Sequence, residues 1–283
     1  MASMRFGLIV PSGTAKEIVA LAAEAEHAGW DGVFYYDDVY TDGKTEMSSA
    51  WPIMAAIAVT TKKIRFGSLL TAIGRRRPWE VARESVTVDH LSNGRLILPT
   101  GLGWAGDGAY TKAGIPFDRK VRAEMLDEGL EILDGLWSGK RFRYSGKHNA
   151  LKTMRFIPRP VQEPRIPIWV VGAWPRPKSM RRVLKYDGLI PVIKKADGSH
   201  AEVTPEKIGE MKEFVAKNRV VTGRMRAGFE IIKDGMTPAN GKKAGEVVAP
   251  FAEAGATWWT ETMWGVKRME DVRNRVRAGP PIL

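Results

Sequence analysis

Two periods of hydrophobic patterning alternate along most of the chain. Short apolar runs of strand type are followed by stretches in which apolar residues recur every three or four positions, as on a helix with one buried face. Arg5–Val10 is the first run, and Pro11-Ser12-Gly13 stops it. Thr14 then stands at an N-cap position with Glu17 three residues on, and Ile18, Leu21, Ala22 and Ala25 follow at helical spacing up to Gly29. Gly32–Tyr36 is the second run, closed by Asp37-Asp38, with a helical stretch after Ser49. Lys63–Leu70 is the third, ending on Thr71-Ala72-Ile73-Gly74, and Pro78 opens its helix at a first-turn position. Arg95–Pro99 is the fourth, with its helix delayed to Arg119–Trp137. Ile166–Val171, Gly188–Val192, Arg226–Ile232 and Ala256–Thr260 are the last four, followed by helical stretches at Pro177–Tyr186, Thr204 to about Asn218, Gly241–Glu253 and Met269–Arg277.

Strands that alternate with helices predict a parallel sheet. Eight such units in a chain near the ~250 residues usual for that architecture predict a closed (β/α)8 TIM barrel. A doubly wound open sheet is the alternative. The chain is expected to be a single barrel domain over residues 1–283, with irregular insertions at about 102–118 and 138–166, the second with room for a hairpin.

Composition narrows the chemistry. At 283 residues, 44% hydrophobic and 27% charged, the chain reads as an ordinary globular protein. It has no Cys, which excludes disulfides, thiolate catalysis, zinc–thiolate sites and cysteine-ligated iron–sulfur clusters. No apolar run approaches the ~20 residues of a membrane span, and no basic-then-apolar leader opens the chain. A cytoplasmic protein with no membrane association is expected, and Met1-Ala2-Ser3 has the look of a cloning scar. Lys plus Arg is 44 against 32 Asp plus Glu, a formal net charge of +12. That excess suits nucleic acid, a solvated basic surface, or a pocket for a phosphorylated small molecule.

Barrel active sites lie at the C-terminal ends of the strands. That rule nominates Ser12, Asp37, Asp38, Thr71, Ala72, Gly103, Trp104, Gly172, Trp174, Ile193, Lys194, Asp234, Glu261 and Trp264. Asp37 and Asp38 are the sharpest pair. Adjacent carboxylates repel, which raises one pKa and makes a catalytic proton donor or acceptor, unless both are solvated or one caps a turn. Trp104, Trp174 and Trp264 are candidates to wall a pocket. Gly101-Leu102-Gly103-Trp104-Ala105-Gly106 matches GxGxxG, but Asp107, Gly108, Gly114 and Pro116 make the next stretch a loop rather than the helix a dinucleotide site needs. Segment 172–195 holds Arg176, Lys178, Arg181, Arg182, Lys185, Lys194 and Lys195 against one acid, Asp187. With Gly172-Ala173 before a helix it suits a phosphate, or is an ordinary basic helix face. Arg75-Arg76-Arg77 reads as a solvated or ligand-gating turn. His27, His90, His148 and His200 are scattered without metal-ligand spacing, so no metal site is expected.

Several blocks together carry a family resemblance. They are residues 22–33 (Ala22-Ala23-Glu24 through Asp31-Gly32-Val33), Arg76-Arg77-Pro78-Trp79-Glu80, Leu91-Ser92-Asn93-Gly94-Arg95, Trp137-Ser138-Gly139-Lys140, Arg159-Pro160-Val161-Gln162 and Gly172-Ala173-Trp174-Pro175. On them the chain resembles the bacterial-luciferase-like flavin-dependent oxidoreductases over essentially its whole length. The resemblance implies a (β/α)8 barrel binding reduced FMN or the deazaflavin coenzyme F-420 at its C-terminal mouth. It implies Gly172, Ala173, Ile193 and Lys194 at the phosphate, Thr71 and Ala72 at a strained, sometimes cis, non-proline peptide against the ring, and Gly101, Gly103 and Trp104 beside ring or substrate. Many members have a functional His after strand two, and here Asp38 replaces it. The implied activity is a monooxygenase using reduced FMN and oxygen on a small organic substrate, with a separate flavin reductase and a homodimeric assembly as expected partners. F-420-dependent hydride transfer is the alternative, and a non-catalytic basic barrel holding nucleic acid or an acidic partner is a second.

Overall fold

The computed structural model describes residues 4–41, 43, 47–195, 199–266 and 268–283. The Met1-Ala2-Ser3 tripeptide lies outside the described residues. In chain order the strands are β1 (Arg5–Val10), β2 (Gly32–Tyr35), β3 (Arg65–Ser68), β4 (Leu98–Thr100), β5 (Arg141–Ser145), β6 (Ala150–Arg155), β7 (Ile168–Trp174), β8 (Gly188–Lys194), β9 (His200–Ala201), β10 (Glu230–Gly235) and β11 (Trp258–Thr262). β5 and β6 form an antiparallel hairpin inside the 138–166 stretch, and β9 is a short antiparallel addition to β8. The other eight run parallel in the order β3-β2-β1-β11-β10-β8-β7-β4. Single parallel bridges, Phe66 to Leu96 and Thr71 to Thr100, join β3 to β4 and complete the ring. The closed (β/α)8 barrel is therefore the architecture, not the open sheet.

The helices are α1 (Ala15–His27), α2 (Ala50–Thr60), α3 (Pro78–Leu91), α4 (Gly108–Thr111), α5 (Arg119–Trp137), α6 (Pro177–Val183), α7 (Pro205–Asn218), α8 (Gly241–Ala254) and α9 (Met269–Arg277). Local chemistry sets their ends. The Thr14–Glu17 capping box is made in both directions. Thr204 accepts from the Lys207 N–H, with Pro205 in the first turn. Gly255 closes α8 in the left-handed region at φ 111°. No described helix is long and apolar enough to cross a membrane.

Each barrel strand is buried on both faces, as parallel strands are. Outward residues such as Leu8, Phe66, Val170 and Trp259 pack against the helices. Ile9, Phe34, Ile97, Trp169, Ile232 and Trp258 form a separate cluster inside the ring. It is a plug of aromatic rings, with Phe34 and Trp258 at 5.5 and 5.2 Å from Trp169. Glycines on the same inner face make room for it. A Cβ on Gly188 would lie 2.5 Å from the Trp169 ring, and one on Gly32 would lie 2.9 Å from Trp258. Gly188→Ala is therefore expected to cost about 1–3 kcal/mol through overpacking, read as a melting temperature lower by several degrees (about 2–4 °C per kcal/mol in a chain of this size).

Strand ends depart from the sequence pattern. β7 runs on through Gly172-Ala173-Trp174 because it stays paired with β8 as far as Trp174 opposite Ile193. β10 starts four residues later than its apolar run, and β11 ends two residues later. α4 and β9 are too short to leave a periodic signal. These shifts of a few residues decide which side chains reach the mouth of the barrel.

Candidate active site at the barrel mouth

Alternation along the strands divides the nominated residues into two groups. On β7, Trp169 faces inward, so Val171 and Ala173 do too, while Gly172 and Trp174 face the helices. A Cβ on Gly172 would lie 2.3 Å from Leu189 and 2.9 Å from Val183, so the glycine is what lets α6 sit close to the sheet. The Ala173 N–H donates to Ser179 Oγ at 2.9 Å. Trp174 leans on α7, its Nε1 donating to Glu210 and its ring edge-on to Phe214 at 5.4 Å. It does not wall the mouth. On β8, Ile193 packs with the outer core and Lys194 turns inward. On β11, Glu261 faces outward. It accepts from the N–H and Oγ1 of Thr237 and pairs with Arg275 of α9, so it holds the fold together. Asp234 is exposed.

The β3 and β4 ends form a shelf with few side chains. A Cβ on Gly101 would meet Val171 and Leu70 at 3.0 and 3.1 Å. Gly103, at φ 81°, leaves no space for one between Ala72 and the Tyr110 hydroxyl. The loop is pinned from beneath. The Leu102 carbonyl accepts from Tyr110 Oη at 2.9 Å and Arg122 Nε at 3.0 Å, and Arg122 stacks on the Tyr110 ring. Thr71 is fully buried, its N–H given to the Pro99 carbonyl and its own carbonyl accepting from Thr100 Oγ1. Its Oγ1 has no hydrogen-bond partner among the described residues. The cis non-proline peptide is Leu69–Leu70 rather than a bond at Thr71 or Ala72, and β3 ends at Ser68, two residues before the apolar run does. Trp104 and Trp264 stand exposed at the rim, Trp264 6.0 Å from the Tyr36 ring.

The Asp37-Asp38 pair divides. Asp37 is buried and fixed, its Oδ2 3.1 Å from Arg75 Nη2 and its Oδ1 3.7 Å from Arg76. Arg75 also pairs with Asp107 and donates to the Asp37 carbonyl. Asp107 caps α4 through the Ala109 N–H and accepts from the N–H groups of Val39 and Tyr40. One guanidinium thus ties together the loops after β2, β3 and β4. Arg76 continues the network to Glu84 and lies over the Trp51 ring. Arg75 and Arg76 form an internal clamp that also lines the cavity beside Asp38, and of the run read as a solvated or ligand-gating turn only Arg77 is solvated. Burial pushes the Asp37 carboxyl up, against the pull of both arginines. Asp38 is half-buried, and among the described residues its carboxylate makes no hydrogen bond or ion pair. Its pKa is pushed up to about 6, by burial first and Asp107 second, with Arg75 opposing. Repulsion from Asp37, the cause expected from adjacency, is the smallest contribution. Asp38 borders a cavity of about 450 Å³ between the β2 loop and α4, with Met47, Ala113 and Ile115 on its apolar side.

Opposite lies a basic group. Burial, Arg119 at the start of α5 and Arg176 after β7 hold the Lys194 ammonium below its ordinary pKa. His200 stands across from Lys194 on β9, lowered by burial and by that ammonium. The remaining basic residues of 172–195 divide differently. Arg182 pairs with Asp127 of α5, and Lys178, Arg181 and Lys185 are exposed on α6 or just past it. Sequence reasoning singled out Arg75 only as part of a solvated or ligand-gating turn, and missed Asp107 and Arg119. The one available signal was Asp107 standing directly before Gly108, an N-cap position.

A sequence model of the luciferase-like monooxygenases matches residues 3–231. The chain is 28% identical over 165 residues to the F-420-dependent glucose-6-phosphate dehydrogenase of Amycolatopsis mediterranei, a match covering 56% of this chain and 48% of that protein. It spans about half the length of the curated relatives it matches. Its fold is like that of the coenzyme F-420-dependent tetrahydromethanopterin reductase of Methanopyrus kandleri, with a TM-score of 0.73, 16% identity and 98% and 99% of the two chains covered. It is also like that of a monooxygenase of Streptomyces bottropensis, with a TM-score of 0.72, 14% identity and 97% of each chain covered.

Proposed function

Because the chain belongs to the luciferase-like monooxygenase family, we propose that its mouth binds a phosphate-bearing flavin-type coenzyme and oxidises or reduces a small organic substrate with Asp38 as acid–base group. Reduced FMN with oxygen is the first coenzyme system, giving a monooxygenase served by a separate flavin reductase. The observation that carries the proposal is the half-buried Asp38 carboxyl at about 6, without hydrogen bond or ion pair among the described residues, beside an open cavity at the catalytic end of a barrel.

The residues present fit such a coenzyme. A planar ring needs a shelf without protruding side chains, and Gly101, Gly103, Ala72 and Ala173 supply one; Thr71 offers an unpaired buried hydroxyl there. A phosphate needs cations, and Lys194 with Arg119 and Arg176 supplies them. Gly172 then serves by packing α6 rather than by touching the phosphate. When bound, the coenzyme carries the electron pair, used with oxygen in the FMN case and as hydride in the F-420 case. Asp38, mostly ionised at neutral pH, accepts a proton from the substrate, or returns one after protonation. Arg75 and Asp107 act on Asp38 through the field and as positioning residues. The apolar wall of Met47, Ala113 and Ile115 receives the substrate body. Cytoplasmic location and a homodimeric assembly belong to the same proposal.

Coenzyme F-420 is the second candidate, favoured by the density of cations around Lys194 and by the identity of the curated relative. Titration with oxidised and reduced FMN and with F-420 decides between them. Saturable micromolar binding of one of them is expected, weakened at least ~10-fold by Lys194→Glu through the loss of a charge-assisted contact. Binding of neither, alongside salt-sensitive DNA binding, would overturn the enzyme in favour of a basic binding barrel.

A further inference from the structure

The opposite end of the barrel carries a second cavity, of about 430 Å³, below the aromatic plug. The lowest inward layer of such a barrel is ordinarily filled by branched apolar side chains. Here Arg5 opens β1, Arg65 opens β3 and Glu230 opens β10, each with its outward neighbour, Phe6, Phe66 or Ile231, in the outer core. Alternation therefore turns these three charged residues into the lumen. The Arg5 guanidinium lies over the Trp258 ring at 5.3 Å, which fixes that direction. Arg226, just before β10, adds a third guanidinium to the lining, and Ile97, Pro167 and Trp169 form an apolar wall.

The charges do not balance. Glu230 is 3.1 Å from Arg5. Asp187 is committed elsewhere, to Arg165 and to the N–H groups of Ile168 and Arg226. Arg226 donates Nη2 to the Arg165 carbonyl at 2.9 Å, and its buried Nε has no hydrogen-bond partner among the described residues. The Arg65 guanidinium has neither hydrogen bond nor ion pair among the described residues. Burial, Arg5 and Arg226 depress its pKa, with Glu230, the smallest contribution, opposing. Three guanidiniums thus converge on a cavity of ligand size whose lining holds two carboxylates, Glu230 paired with Arg5 and Asp187 paired with Arg165 outside the lining. Arginine forks match carboxylate and phosphate oxygens, and the apolar wall suits a compact hydrocarbon body.

We propose that this N-terminal cavity is a binding site, separate from the mouth, for a small organic oxyanion, a carboxylate or phosphate monoester on an apolar body, held by Arg65 with Arg5 and Arg226. The site does not depend on the oxidoreductase reading. The test is calorimetric titration of the full chain with phenyl phosphate, benzoate and inorganic phosphate. Saturation by phenyl phosphate or benzoate is expected, the tighter of the two identifying the head group, with inorganic phosphate at least ~10-fold weaker because it leaves the apolar wall unused. Arg65→Gln should weaken the organic anion at least ~10-fold and Arg65→Lys less, since Lys keeps the charge but not the fork. Among the described residues Arg65 makes no hydrogen bond or ion pair, so both variants are expected to keep the fold, and their ligand-free melting temperatures check this. Lys194→Glu, at the other end of the barrel, should leave binding unchanged. No saturation by either organic anion, binding indifferent to Arg65→Gln, inorganic phosphate binding equally well, or binding lost instead in Lys194→Glu would each overturn the proposal.

Discussion

Asp38→Asn should lower turnover by about 10²- to 10⁴-fold, the usual contribution of a positioned acid–base group, while making the protein more stable at neutral pH. Both effects follow from one property. An ordinary aspartate titrates near 3.8, and the half-buried Asp38 does so at about 6. Between those values the folded protein holds a proton that the unfolded chain releases. Stability contributed by Asp38 is therefore full below about pH 4, falls as pH rises through the window up to about 6, and is absent above it. Asn carries no charge to desolvate and avoids that penalty. Allowing for solvent screening of a partly exposed group, the gain at pH 8 is about 1 kcal/mol, or about 2–4 °C in melting temperature, and it vanishes at pH 3.5. In the wild type the base form accumulates above about 6, so kcat/KM should rise through that pH and level off. The Asn variant should lose this inflection along with the rate. Wild-type turnover and an unchanged pH profile in Asp38→Asn would remove the carboxyl from the mechanism.

The same residue shows how far the sequence reaches. The eight strand–helix units, the barrel and the mouth as the place to look all follow from periodicity and turn residues. The inner and outer faces do not. A strand buried on both sides has no hydrophobic alternation to read, and side chains change face with every residue. So Gly172, Trp174 and Glu261, nominated as strand ends, belong to packing against helices, whereas Lys194, two residues beyond the expected end of its strand, turns inward. The plug was equally hidden. Trp169, Trp258 and Phe34 are spread over three strands, and only closure of the ring brings them to Gly32 and Gly188. Asp37 and Asp38 look equivalent in the chain, and their difference arises from Arg75 and Asp107, which lie 38 and 70 residues beyond Asp37. The basic excess that suggested one anion site is distributed between both ends of the barrel and its outer surface.

Arg75→Met should be the most damaging single change at the mouth. Its guanidinium is almost wholly buried and answers both Asp37 and Asp107. Removing it strands two buried carboxylates, and breaking a buried pair by deleting one partner costs about 3–5 kcal/mol. The expected fall in melting temperature is roughly 10 °C. Adding Asp107→Asn to Arg75→Met should recover part of that loss, because one of the stranded charges is then neutral and its carbonyl oxygen still accepts from Val39, Tyr40 and Ala109. A second readout separates positioning from mere destabilisation. Arg75 holds the Asp38 pKa down and Asp107 holds it up. The inflection in kcat/KM should therefore move above about 6 in Arg75→Met and below it in Asp107→Asn, measured well under each variant's melting temperature. Opposite displacements of one inflection by two residues of opposite charge would tie the clamp to the acid–base group; a loss of stability with the inflection fixed would confine Arg75 and Asp107 to holding the three loops together.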